Sequence, residues 1–171
     1  MVNMVKQILS ILTVAGQASI MVLLLALILK NNSVWRLVSR HALAAVFIIS
    51  LIAILGSSFY SEVAGYEPCK LCWFQRIFLY PQVFLAGLAM WYRDRGILRY
   101  IVWLSGLGAV IALYHYLLQL GVGPNLSCGA VGYSVSCAQR FVLSFGYITI
   151  PLMAFTAFIL NFLISIKNRD N

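Results

Sequence analysis

The chain has 171 residues, of which 63% are hydrophobic and only 9% charged. An average soluble domain is about a quarter charged, so this composition excludes an ordinary water-soluble globule. A formal net charge of +8 is compatible with nucleic acid, but the basic residues stand singly or in small clusters between apolar runs. Membrane topology explains that distribution better. The composition predicts a helical membrane protein without a nucleic-acid partner.

Five apolar segments are long enough to cross a bilayer, which requires about 20 residues per helix. In chain order they cover residues 8–29, 42–60, 73–92, 100–120 and 147–166. The first follows a single basic residue, Lys6, as a signal peptide would, but its apolar run is too long and lacks a clear cleavage site. Lys30 follows it like a stop-transfer flank. We therefore interpret this segment as an uncleaved helix.

Positive charge predicts how the segments are oriented, because cytoplasmic loops retain Lys and Arg. If all five segments span, eight basic residues share one side of the membrane and four lie elsewhere. The eight are Lys30, Arg36, Arg40, Arg93, Arg95, Arg99, Lys167 and Arg169, and the four are Lys6, Lys70, Arg76 and Arg140. The connecting segments 61–72 and 121–146 then face outward. The amino terminus is outside and the carboxyl terminus inside.

Two of the four cysteines, Cys69 and Cys72, form a C-x-x-C motif directly before the third apolar segment. Disulfides persist in oxidising compartments, so cysteines grouped at one membrane face indicate thiol chemistry or cross-linking there. Helix amino termini carry unsatisfied N–H groups and a partial positive charge, and they lower the pKa of a thiol placed there. The motif therefore predicts an attacking thiolate at the start of a helix.

The second pair, Cys128 and Cys137, encloses eight residues rich in glycine and serine. Such a loop can close a disulfide and open it to an incoming protein, and so short a closure contributes little entropic stabilisation. Two purely structural disulfides are an alternative. A zinc site with all four cysteines is another, although zinc favours two short-spaced pairs and only one pair has that spacing. We expect no metal.

Arg76 follows Cys72 by four residues and Cys69 by seven, so the three share one side of a helix. Helical rise places Arg76 about 6 Å deeper than Cys72, where a guanidinium needs a partner. It either reaches the lipid head groups or stabilises a thiolate and the charge that develops on a quinone oxygen. His115, at similar depth, is either a hydrogen-bonded core histidine within an aromatic belt or a quinone contact. Gln75 is a further candidate contact.

The sequence PCKLCWFQRI at residues 68–77, continuing to Tyr80 and Pro81, closely resembles the signature of the DsbB disulfide formation proteins, especially their short BdbC-type members. The stretch FGYITIP at residues 145–151, after the second cysteine pair, also resembles that branch. The similarity extends from about residue 42 to the carboxyl terminus, roughly three quarters of the chain.

This resemblance implies an all-α protein of the bacterial cytoplasmic membrane, built as a four-helix transmembrane bundle with a bound quinone, either ubiquinone or menaquinone. It also implies an extracytoplasmic thioredoxin-like partner of the DsbA type, whose dithiol the enzyme reoxidises. On matching positions, Cys72 would face the quinone and Arg76 would help to hold it. Cys69 would exchange with Cys137, while Cys128 would form the mixed disulfide with the partner. The implied function is disulfide formation coupled to electron transport, in support of protein folding.

The segment 8–29 has no counterpart in the four-helix pattern. We therefore expect two parts: residues 1–41, with an extra N-terminal transmembrane helix and a basic cytoplasmic loop, and residues 42–171, with the DsbB-like oxidoreductase domain. The second outer loop is also shorter than in the longer branch of the family. The movement of this loop between the partner protein and the C-x-x-C is then reduced to small hinge motions.

Three other functions are compatible with four cysteines in a helical membrane protein. A vitamin K epoxide reductase-like enzyme also couples cysteine pairs to quinones, but it usually places its loop cysteines before the C-x-x-C, and here the order is reversed. A CcdA-like electron carrier would need cysteines within the spans that are accessible from both sides, and none is evident. A non-enzymatic membrane scaffold would hold its disulfides static.

Overall fold

The computed structural model describes residues 2–30, 32–122, 137 and 142–168. These residues form six α-helices: α1 (Val2–Ile28), α2 (Asn32–Arg40), α3 (Ala42–Ser58), α4 (Lys70–Tyr92), α5 (Leu98–Gln119) and α6 (Ile150–Asn168). A π-helical turn, Phe59–Val63, extends α3, and a 3₁₀ turn, Arg95–Ile97, precedes α5. Within the described residues, β-structure is limited to an isolated bridge between Ser144 and Ile148.

Four of these helices are long and apolar enough to cross a membrane: α1, α3 with its π turn, α5 with its 3₁₀ turn, and α6. The fifth long helix, α4, has 23 residues and contacts both α3 and α5. Three of its buried side chains are polar: Gln75, Arg76 and Gln82. The chain is an all-α membrane protein, a bundle of α3–α6 with one additional N-terminal helix, which confirms the predicted fold class.

The stretch predicted as a basic loop after the first span contains a short helix, α2. Its Trp35 is buried, whereas Arg36 and Arg40 are exposed. A strongly amphipathic helix of this kind lies along a membrane interface with its apolar face inward. The sequence missed it because nine residues are too few to give a spanning signal.

The last span begins at Ile150, three residues later than predicted. Phe145 and Gly146 adopt positive φ angles of 51° and 79° and close a turn before the helix. Pro151 therefore falls in the first turn of α6, where its missing N–H has no intrahelical partner to lose.

The additional helix α1 runs antiparallel to α3 along one side of the bundle. Leu9, near the start of α1, lies against Gly56 near the end of α3. Leu23, near the end of α1, shares a core cluster with Val46 near the start of α3. Between them, Gly16 lies so close to α6 that a Cβ there would come within 2.9 Å of a side chain. The start of α1 is therefore at the same end of the bundle as the C-x-x-C.

A buried polar cluster joins the four helices of the bundle. Asn161 of α6 donates through Nδ2 to Ser50 Oγ of α3 at 2.8 Å and to Gln82 Oε1 of α4 at 2.9 Å. Ser105 of α5 donates to the same Gln82 oxygen at 3.1 Å. All four side chains are fully buried. Because polar groups in an apolar interior must find partners within the protein, the cluster favours one arrangement of the four helices.

We expect Gln82→Leu to destabilise the bundle, because it removes the acceptor that Asn161 and Ser105 share. Leaving buried donors unsatisfied costs about 1–3 kcal/mol. Thermal unfolding in detergent micelles measures the loss. Gln7→Leu is the matched control, since Gln7 is exposed on α1. Equal stability of the two variants would contradict a role for the cluster.

Candidate active site

The C-x-x-C lies where the chain enters α4. Cys69 is the N-cap residue, with extended backbone at φ −68° and ψ 168°, and Cys72 is in the first helical turn. Their sulfur atoms are 3.3 Å apart, with the Cys69 thiol donating to Cys72 Sγ. A disulfide bond measures about 2.0 Å, so the pair is a dithiol in this structure. The helix entrance thus presents two interacting sulfurs, as the motif predicts.

The pKa of the Cys69 thiol differs from the sequence-based prediction. Its hydrogen bond to Cys72, followed by its burial, raises the pKa of the Cys69 thiol to about 12, and the contact with His115 opposes that rise. The predicted lowering of the pKa by the helix terminus is therefore wrong for Cys69, because the N-cap thiol donates a hydrogen bond and is only 4% exposed. When the pair carries one proton, this arrangement keeps it on Cys69.

His115 connects the C-x-x-C to the outer loop. Its Nδ1 accepts from Gln75 Nε2 at 2.9 Å, which places the ring proton on Nε2. Nε2 lies 3.1 Å from the carbonyl oxygen of Cys137 and 3.6 Å from Cys69 Sγ. The ring is 1% exposed. His115 is thus a hydrogen-bonded core residue whose N–H faces both the reactive sulfur and the loop.

The structure brings one loop cysteine to this site. Cys137 is 2% exposed, and it lines a small pocket of about 30 Å³ together with Cys69, Cys72 and His115. The predicted partner of Cys137, Cys128, lies outside the described residues. Three of the four predicted catalytic sulfurs therefore border one pocket.

Arg76 is held by uncharged oxygens. Its Nε donates to Ser57 Oγ at 2.9 Å, and its Nη2 donates to the Ser57 carbonyl at 2.7 Å and to Ser61 Oγ at 2.8 Å. The guanidinium also lies over the Trp73 ring, 5.3 Å from its centroid. Arg76 is 6% exposed and forms no ion pair with the described residues. Its charge is thus positioned beside the C-x-x-C without being neutralised by a carboxylate.

A large cavity of about 740 Å³ meets the small pocket at Cys72 and Arg76, which line both. Cys69 and His115 line only the small pocket among the described residues, whereas Gln75 lines the large cavity. Most of the large cavity is walled by apolar side chains of the helices. The two sulfurs of the C-x-x-C therefore have different surroundings: both border the pocket that Cys137 lines, but only Cys72 also borders the apolar cavity.

Sequence reasoning missed the π-helical turn at the end of α3. π-Helical turns often occur at functional sites, and this one presents Ser61 to Arg76 and Tyr60 to both cavities. The Tyr60 hydroxyl is buried and has no hydrogen-bond partner among the described residues. A tyrosine and two serines near the outer end of the second span were a weak signal, because the serines contact Arg76 across 15 to 19 positions of the chain.

The site residues also include one set of metal-binding atoms. Cys69, Cys72 and His115 offer two sulfurs and one imidazole nitrogen, all within 4.8 Å of one another. Soft metals bind such ligands. A bound metal would occupy both sulfurs of the C-x-x-C and prevent thiol exchange, so the two uses of the site are mutually exclusive.

A dithiol at the end of a helical membrane bundle, beside a third cysteine and an apolar cavity, is the arrangement of a membrane thiol–disulfide oxidoreductase. The family model described as "Disulfide bond formation protein DsbB" matches residues 39–167. The chain belongs to the DsbB family of disulfide bond formation proteins.

Curated relatives match most of the chain. The chain is 41% identical over 120 residues to "Probable disulfide formation protein C 1" of Bacillus anthracis, a match that covers 70% of this chain and 86% of the relative. It is 39% identical over 123 residues to "Disulfide bond formation protein C" of Bacillus subtilis, covering 69% and 85%. The "SPbeta prophage-derived disulfide bond formation protein B" of Bacillus subtilis is 40% identical over 122 residues, covering 71% and 81%. No solved structure matches the chain.

Proposed function

We propose that this protein is a quinone-coupled thiol oxidase that reoxidises a thioredoxin-like, DsbA-type dithiol protein outside the cytoplasmic membrane. The observation that carries the proposal is the position of Cys72, which borders both the pocket that holds Cys137 and the large apolar cavity. Electrons that arrive from the loop as thiols can leave from the same C-x-x-C toward a lipid-soluble acceptor. The overall reaction converts two partner thiols and one quinone into one disulfide and one quinol.

The large cavity has a donor set that suits a quinone head group. Most of its lining is apolar, and four of its polar members lie near Cys72: Ser57, Tyr60, Gln75 and Arg76. Arg76 supplies an unneutralised positive charge, and Tyr60 supplies a buried hydroxyl that lacks a partner in the described structure. Such donors stabilise negative charge on an oxygen. A quinone bound there would supply the oxidising power, accepting two electrons and two protons as it becomes a quinol.

The outer steps are thiolate exchange. A partner thiolate attacks Cys128 of the Cys128–Cys137 disulfide, so that a mixed disulfide forms and Cys137 leaves as a thiolate. The second thiol of the partner then attacks the first partner sulfur, which is bonded to Cys128, and releases Cys128 as a thiolate. The partner departs with a new disulfide. Because Cys69 and Cys137 are almost completely buried, we assign the first contact with the partner to Cys128.

The inner steps return the loop to its oxidised form. Cys137 attacks Cys69 of the Cys69–Cys72 disulfide and releases Cys72. Cys128 then attacks Cys137, reforms the loop disulfide and releases Cys69 as a thiolate. The Nε2–H of His115 lies 3.6 Å from that sulfur and stabilises its negative charge. The Cys69/Cys72 dithiol closes to a disulfide as it gives up two electrons and two protons.

The topology of the proposal follows from charge. We propose that the cysteine end of the bundle faces the extracytoplasmic side, because eight basic residues fall in segments at the other end and cytoplasmic loops retain such residues. We also propose that residues 42–171 form the oxidoreductase domain, while residues 1–41 form an accessory N-terminal part. The family match over residues 39–167 supports this division.

The proposal is tested with purified protein in detergent, a reduced thioredoxin-like dithiol protein and either ubiquinone or menaquinone. We expect one quinol for each partner disulfide. We also expect a partner variant that keeps only its attacking cysteine to accumulate a mixed disulfide with Cys128 of the intact loop disulfide, visible on a non-reducing gel. Absence of both quinol and mixed disulfide would favour a scaffold with static disulfides.

A metal chelator provides the control for the competing metal site. We expect the rate of quinol formation to be unchanged by chelation and to fall when zinc is added, because zinc occupies both sulfurs of the C-x-x-C. Loss of activity on chelation would instead assign Cys69, Cys72 and His115 to a metal. Transfer of the thiol electrons to vitamin K epoxide in place of the quinone would favour the vitamin K epoxide reductase-like alternative.

A further inference from the structure

The large cavity extends far beyond the space that a quinone head group needs. It begins at Cys72 and Arg76 and continues to Val34 and Val38 of α2, near the opposite end of the bundle. Along α1 it is lined from Leu9 to Leu23, a helical distance of about 21 Å. The hydrocarbon core of a bilayer is about 30 Å thick. The cavity is thus a long apolar channel that is polar near its cysteine end.

The outer wall of this channel is α1. Its lining residues cover a broad side of the helix, in adjacent pairs that recur at each turn. They are Leu9, Leu12, Thr13, Ala15, Gly16, Ala18, Ser19, Val22 and Leu23. The opposite walls come mainly from α3 and α6. Removing α1 would leave those walls open to lipid. The additional helix therefore encloses space beside the redox site that the other helices alone leave open.

Close contacts hold this wall in place. Gly16 lies against Thr156 and Leu160 of α6, and Leu9 lies against Gly56 of α3. The Tyr147 hydroxyl, just before α6, donates to Gln17 Oε1 at 3.0 Å. These contacts attach α1 to the bundle on both sides of the channel. The family match begins only at residue 39, so the wall comes from outside the matched region.

We propose that α1 forms a binding wall for the polyprenyl tail of the quinone, so that this N-terminal helix selects for long-tailed quinones. This inference rests on the proposed function, because it requires the head group to lie at Cys72 and Arg76. A tail attached to that head group is apolar and extended, and the channel is apolar and begins at the same place. The tail is therefore bound inside the protein, between α1, α3 and α6, rather than in bulk lipid.

The test fills the channel and compares two quinones with the same head group, one with a short tail and one with a long polyprenyl tail. Val22 lines the channel, whereas Val14, also on α1, does not. Both valines are exposed, so Val22→Phe and Val14→Phe form a matched pair. We expect Val22→Phe to raise the KM for the long-tailed quinone about tenfold, or about 1.4 kcal/mol, because the larger side chain overfills the binding space. Its KM for the short-tailed quinone should change less than about twofold.

Ser19→Phe, a second change in the channel lining, should give the same pattern, and Val14→Phe should change neither KM. Retained activity with the short-tailed quinone also shows that each variant is folded. An equal rise for both quinones, or no rise for either, would overturn the proposal. No rise in KM for either quinone is the result expected if a phospholipid chain occupies the channel. If the unchanged protein reduces neither quinone, the proposed function itself fails.

Discussion

Replacing Cys72 by serine should reduce quinone reduction to the background rate. Serine cannot form a disulfide, so electrons that reach Cys69 have no second sulfur through which to leave. We expect Cys72→Ser to accumulate a Cys69–Cys137 disulfide, because Cys69 can still exchange with the loop. Quinol formation measured by absorbance, together with gel mobility under non-reducing conditions, separates these two outcomes.

Cys69→Ser should lose turnover to the same extent for a different reason. Cys72 still borders the large cavity, but the sulfur assigned to exchange with the loop is missing. A disulfide between Cys137 and the C-x-x-C should then not form. Lys70→Ala is the matched control, since Lys70 is exposed within the same C-x-x-C and should retain full activity. Undiminished turnover in either serine variant would reject the mechanism.

Arg76→His is the second change for which we expect a large effect. An imidazole at this position lacks the reach and the permanent charge of the guanidinium, so it stabilises a quinone oxygen less well. Hydrogen bonds to charged groups are worth about 1.5–3 kcal/mol, which corresponds to a rise in the quinone KM of about tenfold to more than a hundredfold. The KM for the dithiol partner should be unaffected. Steady-state kinetics in which each substrate is varied separately measure both values.

Two controls isolate the contribution of the guanidinium. Arg99→His changes an exposed arginine at the start of α5 and should leave both KM values unchanged. Tyr60→Phe removes only the buried hydroxyl and should raise the quinone KM less than Arg76→His does. Thermal unfolding shows whether loss of the bonds to Ser57 and Ser61 also destabilises the bundle. If the folded Arg76→His variant has an unchanged KM for the quinone, Arg76 has a purely structural role.

The sequence predicted the fold class because hydrophobicity and length alone identify helices that must cross a lipid layer. It predicted the family because the C-x-x-C stands in a run of ten residues with specific neighbours. Both predictions are confirmed. The short helix α2 and the late start of α6 were missed, since the first depends on amphipathicity over few residues and the second on backbone angles at Phe145 and Gly146.

The candidate site was only partly accessible from sequence. Helical spacing placed Arg76 beside the C-x-x-C, but its partners Ser57 and Ser61 belong to another helix and its π turn. Depth alone placed His115 near the site, whereas its contacts with Gln75 and Cys69 depend on how α5 packs against α4. The roles proposed for these residues remain predictions. The wall formed by α1 could not be predicted, because it depends on which helices lie side by side.

The burial of Cys69 determines which reductants can supply the enzyme. With 4% of its surface exposed, this sulfur is shielded from small thiols dissolved in the surrounding fluid. In the proposed mechanism, electrons therefore reach Cys69 from a partner protein through the loop cysteines, and small soluble thiols do not reduce Cys69 directly.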